Sequence, residues 1–431
     1  MIILGRPFMS IIRRIIGRAF KRESAPALPE LRVLLTEAVR GPDRGEVIAL
    51  CDAILALEPD DRAALLAAGI NRLKTGDPAG AATHFARLDA LESGGTQTAR
   101  LLVESYIDPQ RATRGEPYVG TLDEVWVDAD CWALIQGNRI YSLETQGRTM
   151  ANSPRVRGRV TPDLSRCIMT LPREPGRIDV PCILLGSDAN YAHWVIRNML
   201  KLALVEDAGL APGLPYLVAE DLRGWHRAYL ELLGIPEARL LRVPPDGVYA
   251  CPRIHVPTQL RNHPRMAIGI EWLRAKLAPL LAPPAERIEL IYASRREQSK
   301  RRVLNESAVE QMLSAMGFRV IVPGEMSVRE QIDAFSRARV VAGPHGAALA
   351  NMVFAPPGAV LIEITSQAIH YMDEFRVLVE AAGQRWRTLV SQDIERTRQS
   401  ATGRELHHDY RVDLEALREM VSEVLAETAR S

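Results

Sequence analysis

Apolar and polar positions change rhythm several times along the chain. Near the start, Phe8, Ile11, Ile12, Ile15, Ile16, Ala19 and Phe20 recur at three- and four-residue steps, one stripe of a helix. Residues 30–93 are rich in Ala and Leu and read as helix pairs. Gly41-Pro42-Asp43, Pro59-Asp60 and Gly76-Asp77-Pro78 punctuate them. Segments 118–127 and 131–141 alternate as strands, with Gly137-Asn138 as a hairpin turn. From about residue 178, short apolar runs alternate with amphipathic stretches. Strands are expected at 181–186, 216–219, 240–243, 288–293, 319–322, 339–343 and 360–364. Helices are expected at 191–207, 222–233, 266–281, 307–316, 328–336, 347–354 and 374–382. That alternation predicts α/β structure with parallel sheets of doubly wound type.

The rhythm sets the domain limits. A basic amphipathic segment (1–24) and a helical module (25–105) precede a β-rich connecting segment (106–177). Two Rossmann-like lobes follow, 178–264 and 265–431, the second ending in a helix. Ligands of such sheets bind at the carboxyl ends of the strands. The length of 431 residues agrees, since roughly 100–200 residues per domain predicts about two to four domains.

Composition excludes several classes. The formal net charge of +1 argues against a general nucleic-acid binder. No run of about 18 apolar residues predicts a transmembrane helix. The charge balance hides one local feature: Arg6, Arg13, Arg14, Arg18, Lys21 and Arg22 fall in the first 22 residues, with no acid among them. Most lie off the apolar stripe, so residues 1–22 suit the surface of an anionic membrane. Arg13 and Arg14 break the apolar run and no small-residue cleavage site follows, which argues against a signal peptide. The expected location is cytoplasmic, peripheral on the inner face of the membrane. The five cysteines, Cys51, Cys131, Cys167, Cys182 and Cys251, are far apart and odd in number, fitting buried thiols rather than disulfides or a zinc site.

Within the helical module, 61–93 resembles one tetratricopeptide repeat. Gly69, Gly76, Ala81 and Phe85 stand where that repeat needs close helix approach and a packed aromatic. Segment 31–60 resembles a degenerate copy. Two copies are few for a free-standing solenoid, so the module is expected to pack on the next domain, to bind a protein partner, or to form a homo-oligomer. Asp128-Ala129-Asp130 matches the DxD pattern that metal-dependent sugar transferases use. Its turn-like setting between strands argues against a metal there, and no metal is expected.

Three clusters carry chemistry. Gly186-Ser187-Asp188-Ala189-Asn190-Tyr191-Ala192-His193-Trp194 leaves a strand and enters a helix. His193, with Asp188 and Asn190 before it, can accept a proton near neutral pH. The second cluster leaves the strand at Ala293 through Ser294 and five cations within eight residues: Arg295, Arg296, Lys300, Arg301 and Arg302. A helix entered at Asn305-Glu306 follows. Arginine forks and helical N–H groups make an anion trap. The third cluster, Gly343-Pro344-His345-Gly346-Ala347-Ala348-Leu349-Ala350-Asn351, again joins strand to helix, with free N–H groups to face a phosphate. It lacks GxGxxG and GK[ST], so neither a dinucleotide fingerprint nor a P-loop is present. Glu363, at the end of the next strand, could accept from ribose hydroxyls.

Asn190-Tyr191-Ala192-His193-Trp194, then Ser294-Arg295, Arg302 and Asn305-Glu306, then Glu330-Gln331 and His345-Gly346-Ala347 with Asn351 and Phe354, resemble glycosyltransferase family 61. The resemblance covers about residues 180–365 and is strongest over 291–364. That family includes bacterial capsular-polysaccharide enzymes, plant xylan-decorating transferases and animal protein O-linked N-acetylglucosaminyltransferases. The resemblance implies a GT-B fold and inverting transfer from a nucleotide sugar, UDP-linked, to a saccharide or glycolipid acceptor, with no obligatory metal or cofactor. It implies a donor side at Ser294, Arg295, Arg302, Asn305, Glu306, His345, Gly346, Ala347, Asn351 and Glu363. The acceptor side would hold Asn190, Tyr191 and Trp194, with His193 or Asp188 as the catalytic base. A rival class is a catalytically inactive nucleotide-binding scaffold that recruits polysaccharide-assembly enzymes to a membrane.

Overall fold

The computed structural model describes residues 26–145, 153–159, 166–210, 212–261, 264–395 and 408–429. The basic amphipathic segment expected at 1–22 lies outside them. The chain folds as two compact units. One takes the described residues of Met1–Pro109, with Leu122–Pro181 and Pro245–Ile254. The other takes Gln110–Thr121, Cys182–Pro244 and His255–Ser431.

The first unit opens with four helices, Leu28–Ala38, Arg44–Leu57, Arg62–Lys74 and Pro78–Ser93. Asp43, Asp61 and Asp77 cap three of them by accepting the N–H three residues on, which satisfies a donor that each helix start leaves open. Gly69 lets two helices touch: a Cβ there would lie 2.7 Å from the Phe85 ring. Strand Gln97–Glu104 follows, inside what the sequence predicts as helical module. Its burial shows no clean alternation, so period two does not reveal it. It pairs antiparallel with Arg166–Pro172. Ala133–Gln136 and Arg139–Tyr141 form the hairpin expected around Gly137, and Gly137 has the positive φ of 61° that such a turn uses. Asp128 is fully buried, paired with Arg155 at 3.1 Å. Asp128-Ala129-Asp130 thus closes a turn. Among the described residues no cluster of His, Cys, Asp or Glu could hold a metal ion. All five cysteines are buried thiols.

The second unit holds two sets of parallel strands. Leu240–Val243 pairs with Tyr216–Ala219, which pairs with Cys182–Leu184. A separate five-stranded sheet runs in the order Arg319–Ile321, Glu289–Ala293, Ala338–Pro344, Val360–Ser366, Arg385–Ser391, all parallel. Strand runs such as Val360–Ser366 are buried at every position, as parallel strands covered on both faces must be. One apolar cluster takes in residues from both sets, from Ile183 and Trp194 to Phe335, Leu361 and Phe375.

Chain order and sheet order disagree at one place. The first strand of the five, Glu289–Ala293, sits between the second and the third, so the connections leave in opposite directions. The crevice at such a switch point, outside the carboxyl ends of the strands, is where ligands of open parallel sheets bind. Ser294 and Arg295 leave the first strand there; His345, Gly346 and Ala347 leave the third.

Two helices differ from expectation. The helix expected at 191–207 is α-helical at Tyr191–His193, widens to a π-helix over Trp194–Met199 and resumes at Leu202–Asp207. The helix expected at 347–354 is a 3₁₀-helix, Ala347–Phe354. Among the described residues no helix is long and apolar enough to cross a membrane.

Candidate active site

A cavity of about 630 Å³ opens in the second unit. Asn190 and Tyr191 line it from the turn after Cys182–Leu184. Gly224, Trp225 and Ala228 come from the helix Gly224–Leu232. Ser294, Arg295, Glu297, Gln298, Lys300 and Arg301 come from the basic loop, Gln331 from the helix Val328–Ser336, and Ala347 and Ala348 from the 3₁₀-helix start.

The turn expected on the acceptor side is fixed by hydrogen bonds to its own backbone. The Asp188 carboxylate accepts from the Asn190 N–H at 2.9 Å, and the Asn190 side chain accepts from Ala192 at 2.9 Å and His193 at 3.4 Å. These bonds start the helix and aim His193 back at Asp188. His193 Nδ1 donates to Asp188 at 2.9 Å. Arg197, one turn on, reaches Asp188 at 3.5 Å and His193 Nε2 at 3.3 Å. A guanidinium only donates, so Nε2 faces it as an acceptor and Nδ1 carries the proton. Burial alone would raise the Asp188 pKa. The hydrogen bond and charge of His193, helped by Asn190 and Arg197, outweigh it and hold the acid below its ordinary value. The two rival bases of the sequence are therefore hydrogen-bonded to each other, and Asp188 orients the His193 ring.

His226, absent from the expected set, supports this turn. Its Nδ1 accepts from the Arg223 N–H at 2.8 Å, so Nε2 carries the proton and donates to the Asp188 carbonyl at 2.9 Å. Burial pushes its pKa down to about 4 and keeps it neutral. Trp194 is not on the acceptor side. It is fully buried, with its ring edge-on to His226 at 4.4 Å; a large apolar surface at that point of the helix goes to the core. The tryptophan that lines the cavity is Trp225, edge-on to Tyr191 at 5.5 Å.

A buried polar chain crosses behind the cavity. Tyr191 donates to Asn351 Oδ1 at 2.7 Å and accepts from Tyr229 at 2.9 Å. Asn351 donates to Gln331 at 2.7 Å. Tyr191 and Asn351, expected to touch acceptor and donor, are thus joined to each other. Burial pushes both tyrosine hydroxyls up, so the chain is neutral.

On the donor side the expected residues divide. Arg295 lines the cavity and donates to the His345 carbonyl, while burial pulls its pKa below the ordinary arginine value. Gly346 makes room for it: a Cβ there would lie 2.5 Å from the guanidinium. Ser294 lines the cavity but is held by Glu306, whose Oε1 accepts from Ser294 at 2.9 Å, Tyr292 at 2.9 Å and the Arg295 N–H at 3.1 Å. Glu306 therefore shapes the loop and cannot face an anion.

Of the expected donor residues only Ser294, Arg295 and Ala347 line the cavity, and Arg302, Asn305 and Glu363 are engaged elsewhere. Arg302 grips Asp409 at 2.8 and 2.6 Å, and its N–H bonds the same acid. Asn305 binds both the N–H and the C=O of Val412. Glu363 is 2% exposed and has both oxygens engaged, one by His345 at 2.5 Å and one by Trp386 at 2.8 Å. Its carboxylate thus clamps two strand ends rather than reading a ribose, and His345 is buried with it. Lys300 and Arg301 take the place in the cavity wall expected of Arg302.

Residues 191–362 match the family model described as Glycosyltransferase 61. Over that span the chain is similar to glycosyltransferase family 61. The matched span contains every cavity-lining residue named above except Asn190. No curated protein matches the sequence. Among solved structures, a mutant of the O-GlcNAc transferase from Thermobaculum terrenum is similar over 84% of this chain and 57% of that one, at 12% identity and a TM-score of 0.16. The chain therefore spans little more than half the length of that protein.

Proposed function

We propose that the chain is an inverting glycosyltransferase that moves a sugar from a nucleotide-sugar donor, UDP-linked, to a saccharide or glycolipid acceptor. The observation that carries this reading is coincidence: the family 61 region and the cationic cavity at the switch point are built from the same residues. The reading takes the two sets of parallel strands as a GT-B pair, with the donor on the five-stranded sheet and the acceptor on the 182–243 side.

In this mechanism the sugar's anomeric carbon loses a nucleoside diphosphate while an acceptor hydroxyl attacks from the opposite face. Negative charge grows on the leaving oxygen. Arg295 and its cationic neighbours, with the N–H groups at the start of the 3₁₀-helix, stabilise it without a metal ion. This is the largest contribution, because it acts on charge that develops in the transition state. His193 takes the acceptor proton on Nε2, and Asp188 stabilises the imidazolium that results. The acceptor hydroxyl competes with Arg197 for that lone pair, whose 3.3 Å contact is long for a hydrogen bond.

Assembly of a bacterial-type surface polysaccharide is the proposed setting. Residues 1–22 would contact the inner face of the membrane, and the helical module would contact a protein partner or a second copy. A thermal-shift titration with nucleoside diphosphates tests the site. A ligand at about 100 times its Kd stabilises the folded chain by about 2.7 kcal/mol, which raises Tm by a few degrees. No rise with any nucleoside diphosphate would remove the proposed donor.

A further inference from the structure

Arg301 and Arg302 are neighbours in sequence and go opposite ways. Arg302 leaves the cavity for Asp409. Arg301 has a φ of 53°, in the left-handed region that a branched, bulky chain rarely enters. That reversal turns its guanidinium into the cavity wall beside Arg295 and Lys300. Its Nε is buried there, with no hydrogen-bond partner among the described residues. Burial, and then the charge of Arg295, pull its pKa down to about 10. Glu297 lines the same cavity, but its carboxylate accepts from Gln298 at 2.9 Å. A strained backbone thus holds a half-buried cation beside a second cation, with no acid paired to it among the described residues. Strain of this kind persists where function requires the conformation, and a dianion would satisfy both guanidiniums at once.

We propose that Arg301, rather than Arg302, is the second arginine that works with Arg295 to grip a diphosphate, and that the pair selects a diphosphate over a monophosphate. This rests on the nucleotide-sugar reading above. It assigns the left-handed turn at Arg301 a purpose, since it separates one ligand-gripping arginine from one structural arginine at adjacent positions.

Calorimetric titration of the full chain with UDP, GDP, UMP and inorganic pyrophosphate tests it, with melting temperatures measured alongside. Arg301→Asn suits the left-handed backbone and lacks the cation; Arg301→Gly serves if the Asn variant fails to fold. The expected result is a melting temperature at or above that of the wild type, with UDP and pyrophosphate bound about 10- to 100-fold more weakly and UMP changed far less. Arg302→Ala is expected to melt lower and to bind both diphosphate ligands within about threefold of wild type, as loss of an interaction outside the ligand contact would give. Unchanged pyrophosphate affinity in both Arg301 variants, or the main loss in Arg302→Ala, overturns the inference and leaves the nucleotide-sugar reading standing if UDP or GDP still binds. Wild type that binds pyrophosphate through Arg301 but neither UDP nor GDP upholds the arginine pair and overturns the nucleotide reading. Wild type that binds none of the four overturns both.

Discussion

Asp89 and Asp128 are buried acids of the first unit, and each meets an arginine. Asp89 accepts from Arg157 at 2.5 Å and Thr170 at 2.7 Å, and Asp128 pairs with Arg155 at 3.1 Å. In the second unit, Arg295 and Arg301 stand half-buried beside one another in the cavity wall, and among the described residues Arg301 has no acid paired to it. Both arrangements cost desolvation. The first recovers it inside the chain and specifies a fold. The second leaves it to be recovered from outside, which is what a binding site for an anion does. The difference teaches where to look for function: buried charge as such is uninformative, but here two neighbouring half-buried cations without an acid between them line the cavity.

The contrast can be broken from either side. The largest effect is expected at His193, the proposed base, which follows the cavity-lining Asn190 and Tyr191 in the same turn without itself lining the cavity. His193→Ala should lower kcat by about 10²–10⁴-fold with little change in donor KM. A change confined to KM would make His193 a binding residue instead. Next is Asp89→Ala, which removes the buried acid between Arg157 and Thr170 and leaves the half-buried Arg157 with the exposed Glu92 as its one acidic partner among the described residues. It should cost about 3 kcal/mol of stability, read by urea melts, while UDP affinity stays at the wild-type value. An affinity loss there would erase the distinction between the two kinds of buried charge.

A smaller effect concerns pH. The folded chain holds His226 at a pKa of about 4, below the ordinary 6.5. As pH falls the unfolded chain therefore takes up this proton first. The stability that neutral His226 contributes is fully present above about pH 6.5 and is lost between there and pH 4. Melting temperature should fall over that window, and His226→Gln should flatten the fall. An equal slope in both proteins would show that the Asp188 turn does not depend on this neutral imidazole.

Much of the second unit was legible in the sequence. Strands Tyr216–Ala219 and Leu240–Val243 and the helix Val328–Ser336 fall at their expected limits, the last because Ser327 and Glu330 form a capping box. Short buried strands between amphipathic helices leave a strong pattern. The long strand Val248–Pro257 was not legible: Pro252 interrupts it, and Arg253 stands exposed at its middle. Arg385–Ser391 lies at the sheet's edge and carries Arg385 and Arg387, so it reads as polar.

In the site, the loops were legible and the side-chain directions were not. Sequence brought Asp188, His193, Arg295 and Gly346 to strand ends, where the structure has them. It could not separate Arg301 from Arg302, because the partner that claims Arg302 is 107 residues away. It likewise gave Trp194 the place that Trp225 holds. Arg197 carried a signal that could have been read, four residues after His193 and so on the same helical face.

The central claim is that the cationic cavity holds a nucleotide sugar for transfer. Hydrolysis of a panel of nucleotide sugars by the full chain, without acceptor, tests it most directly, since water slowly replaces the missing hydroxyl. The account predicts that the wild type hydrolyses a UDP-sugar, and that Arg295→Ala, folded as judged by circular dichroism, loses about 100-fold or more of that activity. Equal hydrolysis by Arg295→Ala, or none by the wild type with any donor, would contradict it.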